Sequence, residues 1–334
     1  MISATSQADV TILVVSALAG EFEAGIAQEG QTIKHALVAF ALGIKEMVVC
    51  VNKMGSGYVQ WSETRDNEIK THLSASLQKI GYDPEKIPFV PLSGWEGQNL
   101  TNKCDDPLSS WYQGPCLLEV LDNLETPKRP VDKPLRVPIY HAYKIGGPGT
   151  VVVGKVQTGT LKPSTAILIG PNGLKAEAGS IKFFKKDVPE AISGNSVGIQ
   201  IKGLSNRVLK RGDVLGESER DPPKPCEEFI AEITMLNHPT QIAKGYTPVI
   251  DCHTAHVPCR FEELIATITN KGEIIREKPS YLKTGDYALV RMKPLKPICM
   301  EKYDDYPSLG RIIVRDQRMI VAAGVIKSVV KKEK

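Results

Sequence analysis

The chain has 334 residues, of which 42% are hydrophobic and 24% are charged, and its formal net charge is +4. The length suggests two or three domains, and the composition is typical of a soluble globular protein rather than of a membrane protein. The mildly basic charge is compatible with a polyanionic partner but does not require one.

Two further features predict a cytoplasmic protein that has no membrane partner. The seven cysteines are scattered, odd in number and without paired spacing, which favours reduced thiols. The apolar run that begins at Val10 and ends at Val15 is too short to cross a bilayer, and no Lys or Arg precedes it as in a signal peptide.

The first third of the chain alternates predicted strands with predicted helices. β-Branched or apolar runs predict strands at residues 10–15, 47–51 and 88–92, the first of them buried on both faces. Apolar residues at helical spacing predict helices at 30–43, 62–80 and 117–124. This alternation predicts an α/β domain with a three-stranded parallel sheet and right-handed crossovers.

A proline-rich linker at residues 125–134 separates this domain from a different kind of sequence. Beyond it, short strand-like runs and Gly-rich turns predominate, with a second proline-rich break at 221–225. Two consecutive all-β units of this length predict two antiparallel β-barrels. The predicted domains are residues 1–126, 133–222 and 226–332.

The loop after the second predicted strand reads Asn52-Lys53-Met54-Gly55. It differs by one residue from the Asn-Lys-x-Asp motif of GTP-binding proteins, in which the Asp carboxylate accepts two hydrogen bonds from guanine. Gly55 has no side chain and cannot accept them. Losing two charge-assisted hydrogen bonds, together about 3–5 kcal/mol, predicts at least ~100-fold weaker guanine binding.

Several stretches resemble the eukaryotic elongation factor 1-alpha family across nearly the whole chain. The matching runs are Thr5-Ser6-Gln7-Ala8-Asp9, Gly20-Glu21-Phe22-Glu23-Ala24-Gly25, Ser93-Gly94-Trp95-Glu96-Gly97, Tyr143-Lys144-Ile145-Gly146-Gly147, Leu236-Asn237-His238-Pro239, Asp251-Cys252-His253-Thr254-Ala255-His256, Asp305-Tyr306-Pro307 and Leu309-Gly310-Arg311. The resemblance implies a P-loop-type GTP-binding domain followed by two barrels, which together carry aminoacyl-tRNA to the ribosome.

The resemblance also implies the residues on the base side of a nucleotide site. These residues are Asn52, Lys53, Ser93, Gly94 and Trp95. Met1 aligns after the family's phosphate loop, first switch and Asp-x-x-Gly motif. The expectation is therefore a truncated domain whose base-side loops are vestigial, with no catalytic residue, no bound metal, and neither GTP nor magnesium as cofactor.

Two functions compete on these observations. The main hypothesis is a non-catalytic scaffold protein that has lost GTP binding and hydrolysis. The alternative is a translation elongation factor GTPase that delivers aminoacyl-tRNA to the ribosome. A third hypothesis is an incomplete gene product, because Met1 coincides with an internal position of the family.

The partner predicted for the scaffold is a protein that covers an open sheet edge. In the family, the missing phosphate-loop strand would lie beside residues 10–15, and an unpaired strand edge is a template for association. The family's association with actin filaments and microtubules makes a cytoskeletal filament a candidate. Contact with tRNA or the ribosome is the weaker expectation, because the family's Gly-Asp-Asn-Val-Gly reads Gly194-Asn195-Ser196-Val197-Gly198 here.

Two other motifs receive structural interpretations. Residues 149–156 fit most of a phosphate-loop pattern but end in Val, and their four consecutive β-branched residues predict a strand. The run from Cys252 to Cys259 contains His253 and His256, but its strand context favours packed or surface histidines over a metal site.

Overall fold

The computed structural model describes residues 5, 8–27, 30–125, 127, 129–146, 149–238, 240–269, 272–317 and 319–332. Some residues of the predicted linker, motifs and domain boundary lie outside this set: Ser6, Gln7, Thr126, Lys128, Gly147 and Pro239. Residues 8–127 form one compact unit, and both barrels lie in a second unit within 128–334. The finer boundaries at 126, 133, 222 and 226 stay predictions.

The first unit is a parallel sheet of three strands with helices, as predicted. Its strands are β1 (Val10–Ser16), β2 (Glu46–Asn52) and β3 (Phe89–Pro91), in the order β1-β2-β3. Its helices are α1 (Glu21–Ile26), α2 (Gln31–Ala41), α3 (Glu63–Ile80) and α4 (Leu117–Asp122). The sequence analysis missed α1, which has six residues and follows Gly20 at φ 82°.

Helix α3 has the features by which a helix is predicted from sequence, namely a cap at each end and an apolar stripe. The Ser62 hydroxyl accepts a hydrogen bond from the Arg65 N–H at its start, and Gly81 ends it in a left-handed conformation at φ 118°. The predicted apolar stripe of Ile69, Leu73 and Leu77 is fully buried. None of the described helices is long and apolar enough to cross a membrane.

Strand β1 is buried on one face only, so the prediction of burial on both faces was wrong. Leu13 and Val15 are buried in the cluster that the helices α1, α2 and α3 cover, whereas Ile12 is 41% and Val14 56% exposed. The cluster on the opposite face is built from β2, β3 and Val120 of α4, and it does not reach β1. Among the described residues, β1 pairs only with β2 and forms the edge of the sheet.

The second unit contains two antiparallel barrels, which confirms the predicted fold. The first barrel follows the order β11-β5-β4-β12-β7-β8 and closes because β11 also pairs with β8. Its strands, with the adjoining β9 and the β6–β10 ladder, are β4 (Val137–Ile145), β5 (Gly149–Lys155), β6 (Thr160–Leu161), β7 (Ala166–Gly170), β8 (Leu174–Phe183), β9 (Lys186–Val188), β10 (Ala191–Ile192), β11 (Ser196–Lys202) and β12 (Val214–Glu217). The strand predicted at 149–156 is thus confirmed as β5.

The second barrel follows the order β14-β18-β19-β13-β17-β15 and closes through the pairing of β14 with β15. Its strands, with the adjoining β16, are β13 (Cys226–Met235), β14 (Val249–Cys252), β15 (Ala255–Ile268), β16 (Ile274–Glu277), β17 (Tyr287–Pro294), β18 (Arg311–Asp316) and β19 (Met319–Lys331). Each barrel encloses its own apolar cluster.

A buried arginine joins the two barrels. Arg136 is fully buried, and its guanidinium donates to Glu301 Oε1 at 3.1 and 3.0 Å and to Asp221 Oδ2 at 2.7 Å. The Tyr306 ring lies 4.6 Å from the guanidinium carbon, and its hydroxyl donates to Asp221 Oδ2 at 2.8 Å. Lys331 pairs with the other oxygen of Glu301 at 2.6 Å. The charge of Arg136 is therefore compensated from both barrels.

Replacing Arg136 with Met should lower the free energy of unfolding of the barrel unit by about 3–5 kcal/mol, because it leaves Glu301 and Asp221 without their shared cation. Urea denaturation measures this loss. The matched control is Arg220→Met, since Arg220 is exposed and donates to the Asp132 carbonyl. The account of the network fails if both variants lose the same small amount of stability.

Candidate functional site

The candidate site lies where two neighbouring parallel strands end. Asn52 is the last residue of β2, and Ser93 follows β3 by two residues. Strands β2 and β3 pair in parallel, and the Leu92 N–H extends the ladder by donating to the Val51 carbonyl at 2.8 Å. The two loops therefore leave the same edge of the sheet, where open α/β sheets bind their ligands.

The side chain of Asn52 holds the two loops together. Its Oδ1 accepts hydrogen bonds from the Lys53 N–H at 2.7 Å and from the Gly94 N–H at 2.9 Å. A Cβ at position 94 would lie only 3.3 Å from that oxygen, so glycine lets the backbone approach. A second link runs from the Met54 N–H to the Leu92 carbonyl at 3.1 Å. Asn52, expected on the base side of a nucleotide site, thus braces the two loops with a defined geometry.

Lys53 lies at the rim of the site and pairs with an acidic residue of α1. Its φ is 69°, in the left-handed region, and its Nζ lies 2.6 Å from Glu21 Oε2. Both side chains are about half exposed. The Lys53 hydrogen bond, followed by that of the Ser16 hydroxyl, lowers the pKa of Glu21 below its usual value. Glu21 was not among the predicted site residues, because the sequence did not predict the short helix α1 that carries it.

The loop after β3 is a tight hairpin that presents an exposed aromatic ring. Ser93 and Gln98 exchange backbone hydrogen bonds at 3.2 and 3.1 Å, and Gly97 turns the chain at φ 78°. Ser93 is buried, whereas Trp95 is 98% exposed. The structure therefore brings Asn52, Ser93 and Gly94 together and leaves Trp95 free at the tip of the loop.

The space beside Gly55 is filled by a carboxylate from the other loop. A Cβ at position 55 would overlap Glu96 Oε2, and it would lie 3.0 Å from Glu96 Cδ and 3.3 Å from Ser93 Oγ. The sequence analysis treated Gly55 as a position without an acceptor and gave Glu96 no role. The sequence does hold a signal for this contact: the loop after β3 contains a Glu, while the loop after β2 lacks the carboxylate of the family motif.

The fold and the loops place the chain in the class of translation factors, which have an α/β domain followed by two β-barrels. Three family models match in order: "Elongation factor Tu GTP binding domain" at residues 1–127, "Elongation factor Tu domain 2" at 149–216 and "GTP-eEF1A C-terminal domain-like" at 228–327. Elongation factor 1-alpha of Tetrahymena pyriformis is 50% identical over 335 residues, covering 100% of this chain and 77% of the relative. The chain belongs to the elongation factor 1-alpha family.

Two solved structures extend the likeness to proteins with bound nucleotide. The crystal structure of sup35 complexed with GMPPNP is 33% identical, has a TM-score of 0.58, and covers 97% of this chain and 79% of that one. The structure of sup35 complexed with GDP has the same identity and TM-score, with coverages of 99% and 81%.

These findings overturn the prediction of a scaffold without enzyme activity or guanine nucleotide. The GTP-binding domain model matches from residue 1, and identity to the elongation factor spans the chain. The prediction of lost binding rested on the position of Met1 along the family, which is no evidence about the nucleotide, and on Gly55. The second ground left out Glu96, whose carboxylate occupies the space beside Gly55.

The four residues considered for a metal site face different partners. His253 is buried in the turn before β15, with Nε2 3.0 Å from the Cys299 carbonyl, while His256 Nδ1 contacts the buried Asp251. Burial raises the pKa of the Cys252 thiol well above its usual range and that of Cys259 to about 12, so both stay protonated. Among the described residues, no three His, Cys, Asp or Glu side chains converge to hold a metal.

The second barrel should lose stability in acid because of His253. Burial lowers the pKa of His253 to about 4 from an ordinary 6.5, so the unfolded chain takes up a proton that the folded one excludes. The contribution is complete above the unfolded pKa and is lost as the pH falls through the folded one, by at most about 3 kcal/mol.

Urea unfolding at about pH 7 and about pH 4.5 measures this loss in the protein and in the variant His253→Gln. The variant keeps a side-chain donor for the Cys299 carbonyl and should show a smaller acid destabilisation. His72→Gln, at an exposed position of α3, serves as the control and should behave like the unaltered protein. An unchanged pH dependence in His253→Gln would refute the assignment.

Proposed function

We propose that this protein is a translation elongation factor that binds and hydrolyses GTP and delivers aminoacyl-tRNA to the ribosome. The observation that carries the proposal is the pair of loops that Asn52 joins at the carboxyl edge of the sheet, in a chain that belongs to the elongation factor 1-alpha family. GTP is the substrate, and these loops bind its base.

The described residues supply the base side of that site. Asn52 fixes the distance between the two loops, and Lys53 and Trp95 offer an aliphatic stem and an exposed ring to the faces of a purine. Ser93 forms the buried floor of the second loop. A planar heterocycle with polar edges fits this set of groups better than a flexible ligand does.

Contact with tRNA has its support in the first barrel. The hairpin between β8 and β9 carries Phe184, which is 83% exposed, followed by the exposed Lys185 and Lys186. An aromatic ring beside cations suits single-stranded nucleic acid, whose bases stack while its phosphates pair with lysine. A cytoplasmic location is part of the proposal and agrees with seven free thiols.

Binding of guanine nucleotide should be visible in the fluorescence of Trp95. Titration with GDP in the presence of magnesium should quench the emission of the full chain, because a base would contact an otherwise exposed indole. Asn52→Ala should weaken binding roughly 10-fold or more, since it removes the acceptor of two hydrogen bonds that join the loops.

The control for this titration is Asn123→Ala, because the Asn123 side chain donates within its own helix end, to the Glu119 carbonyl. It should bind GDP as the unaltered protein does. The proposal is wrong if the unaltered protein does not bind GDP or GTP, or if Asn52→Ala binds both as tightly.

We also propose that a protein partner covers β1, whose outer edge is unpaired among the described residues and whose open face exposes Ile12 and Val14. A cytoskeletal filament as that partner stays a prediction. In hydrogen exchange, the amides of residues 10–15 of the isolated protein should exchange faster than those of the barrel strands. Equal protection of the two regions would count against an uncovered edge.

A further inference from the structure

We propose that Glu96 supplies the carboxylate that recognises the guanine edge, from the loop after β3 rather than from the loop after β2. The inference rests on the proposed function and assigns the specificity of the same site. Its structural basis is the Glu96 carboxylate packed against Gly55, in the space that a side chain at position 55 would occupy.

Guanine requires a paired acceptor at this place. Its N1–H and 2-amino group are adjacent donors on one edge, and a carboxylate, whose two oxygens only accept, satisfies both of them. The loop after β2 cannot provide such a group, because Asn52 Oδ1 is engaged with backbone amides and Gly55 has no side chain. A site for guanine with this sequence therefore needs its carboxylate from a neighbouring segment.

In the present side-chain conformation of Glu96, position 55 has no room for a side chain. A Cβ at 55 would overlap Glu96 Oε2 and lie 3.0 Å from Glu96 Cδ, so the glycine leaves room for the carboxylate. The φ of Gly55 is outside the left-handed region, so backbone strain does not require glycine there. The contact with the Glu96 carboxylate is the feature of the structure that a side chain at position 55 would disturb.

The carboxylate is both positioned and available. The backbone pair of Ser93 with Gln98 and the turn at Gly97 fix the short hairpin that carries Glu96. Within the described part of the chain, Glu96 forms no hydrogen bond or ion pair with another side chain, and the nearby Lys53 pairs with Glu21 instead. Its oxygens therefore remain free to accept from a ligand, beside the exposed ring of Trp95.

The test uses the full chain and two diphosphates, GDP and xanthosine diphosphate. Xanthine carries an oxygen where guanine carries the 2-amino group, so it needs a donor and an acceptor side by side, which an amide provides. Glu96→Gln should weaken GDP binding about 100-fold and bind xanthosine diphosphate more tightly than the unaltered protein does. Glu96→Ala should lose GDP affinity without gaining affinity for xanthosine diphosphate.

A second variant restores the carboxylate from the other loop. Gly55→Asp combined with Glu96→Ala removes the overlap and should regain most of the GDP affinity that Glu96→Ala loses. Glu85→Gln, an exposed carboxylate in the short helical turn that precedes β3, at the end of the strand opposite to the Glu96 loop, is the matched control and should bind GDP normally. Because Glu96 is exposed, these substitutions leave the fold intact, and circular dichroism verifies this.

The outcomes separate this inference from the function on which it rests. GDP preference in the unaltered protein, reversed by Glu96→Gln, supports it. GDP preference that survives both Glu96→Gln and Glu96→Ala within about threefold overturns the role of Glu96 and leaves the proposed function standing. An unaltered protein that binds neither diphosphate overturns both.

Discussion

The side-chain oxygen of Asn52 is the contact on which the candidate site depends. It accepts the Lys53 and Gly94 amides at once and thereby fixes two loops that belong to different crossovers. Without it, the lysine, the exposed tryptophan and the carboxylate of Glu96 would have no common frame. The parallel pairing of β2 with β3 brings the loops to one edge, and the Asn52 amide sets their separation together with the hydrogen bond from Met54 to Leu92.

With the role proposed for Glu96, the site can differ from its family at position 55 and still present a carboxylate to guanine. Recognition of guanine needs a carboxylate opposite its N1–H and 2-amino group, and any residue that brings one there can serve. Gly55 and Glu96 contact the same small volume from opposite loops. A side chain at position 55 would overlap Glu96 in its present conformation, so the roles of the two positions have to be assigned together.

Local patterns in the sequence predicted most of the fold, and the errors have physical causes. The apolar stripe predicted the buried face of α3, and the β-branched runs predicted where strands lie. The change to short strands beyond the linker predicted the two barrels. Strand β1 misled because Ile12 and Val14 have the composition of a buried strand, while α4 covers only β2 and β3. Glu96 was missed because its contact with Gly55 joins residues 41 positions apart, which no local pattern encodes.

The central claim is that guanine nucleotide binds at the loops that Asn52 joins. The most direct measurement is the two-dimensional ¹H–¹⁵N spectrum of the full chain during addition of GDP. The account predicts that the Lys53 and Gly94 amides and the Trp95 indole N–H shift together, with one common affinity. Saturable GDP binding that leaves these three signals unmoved would contradict it.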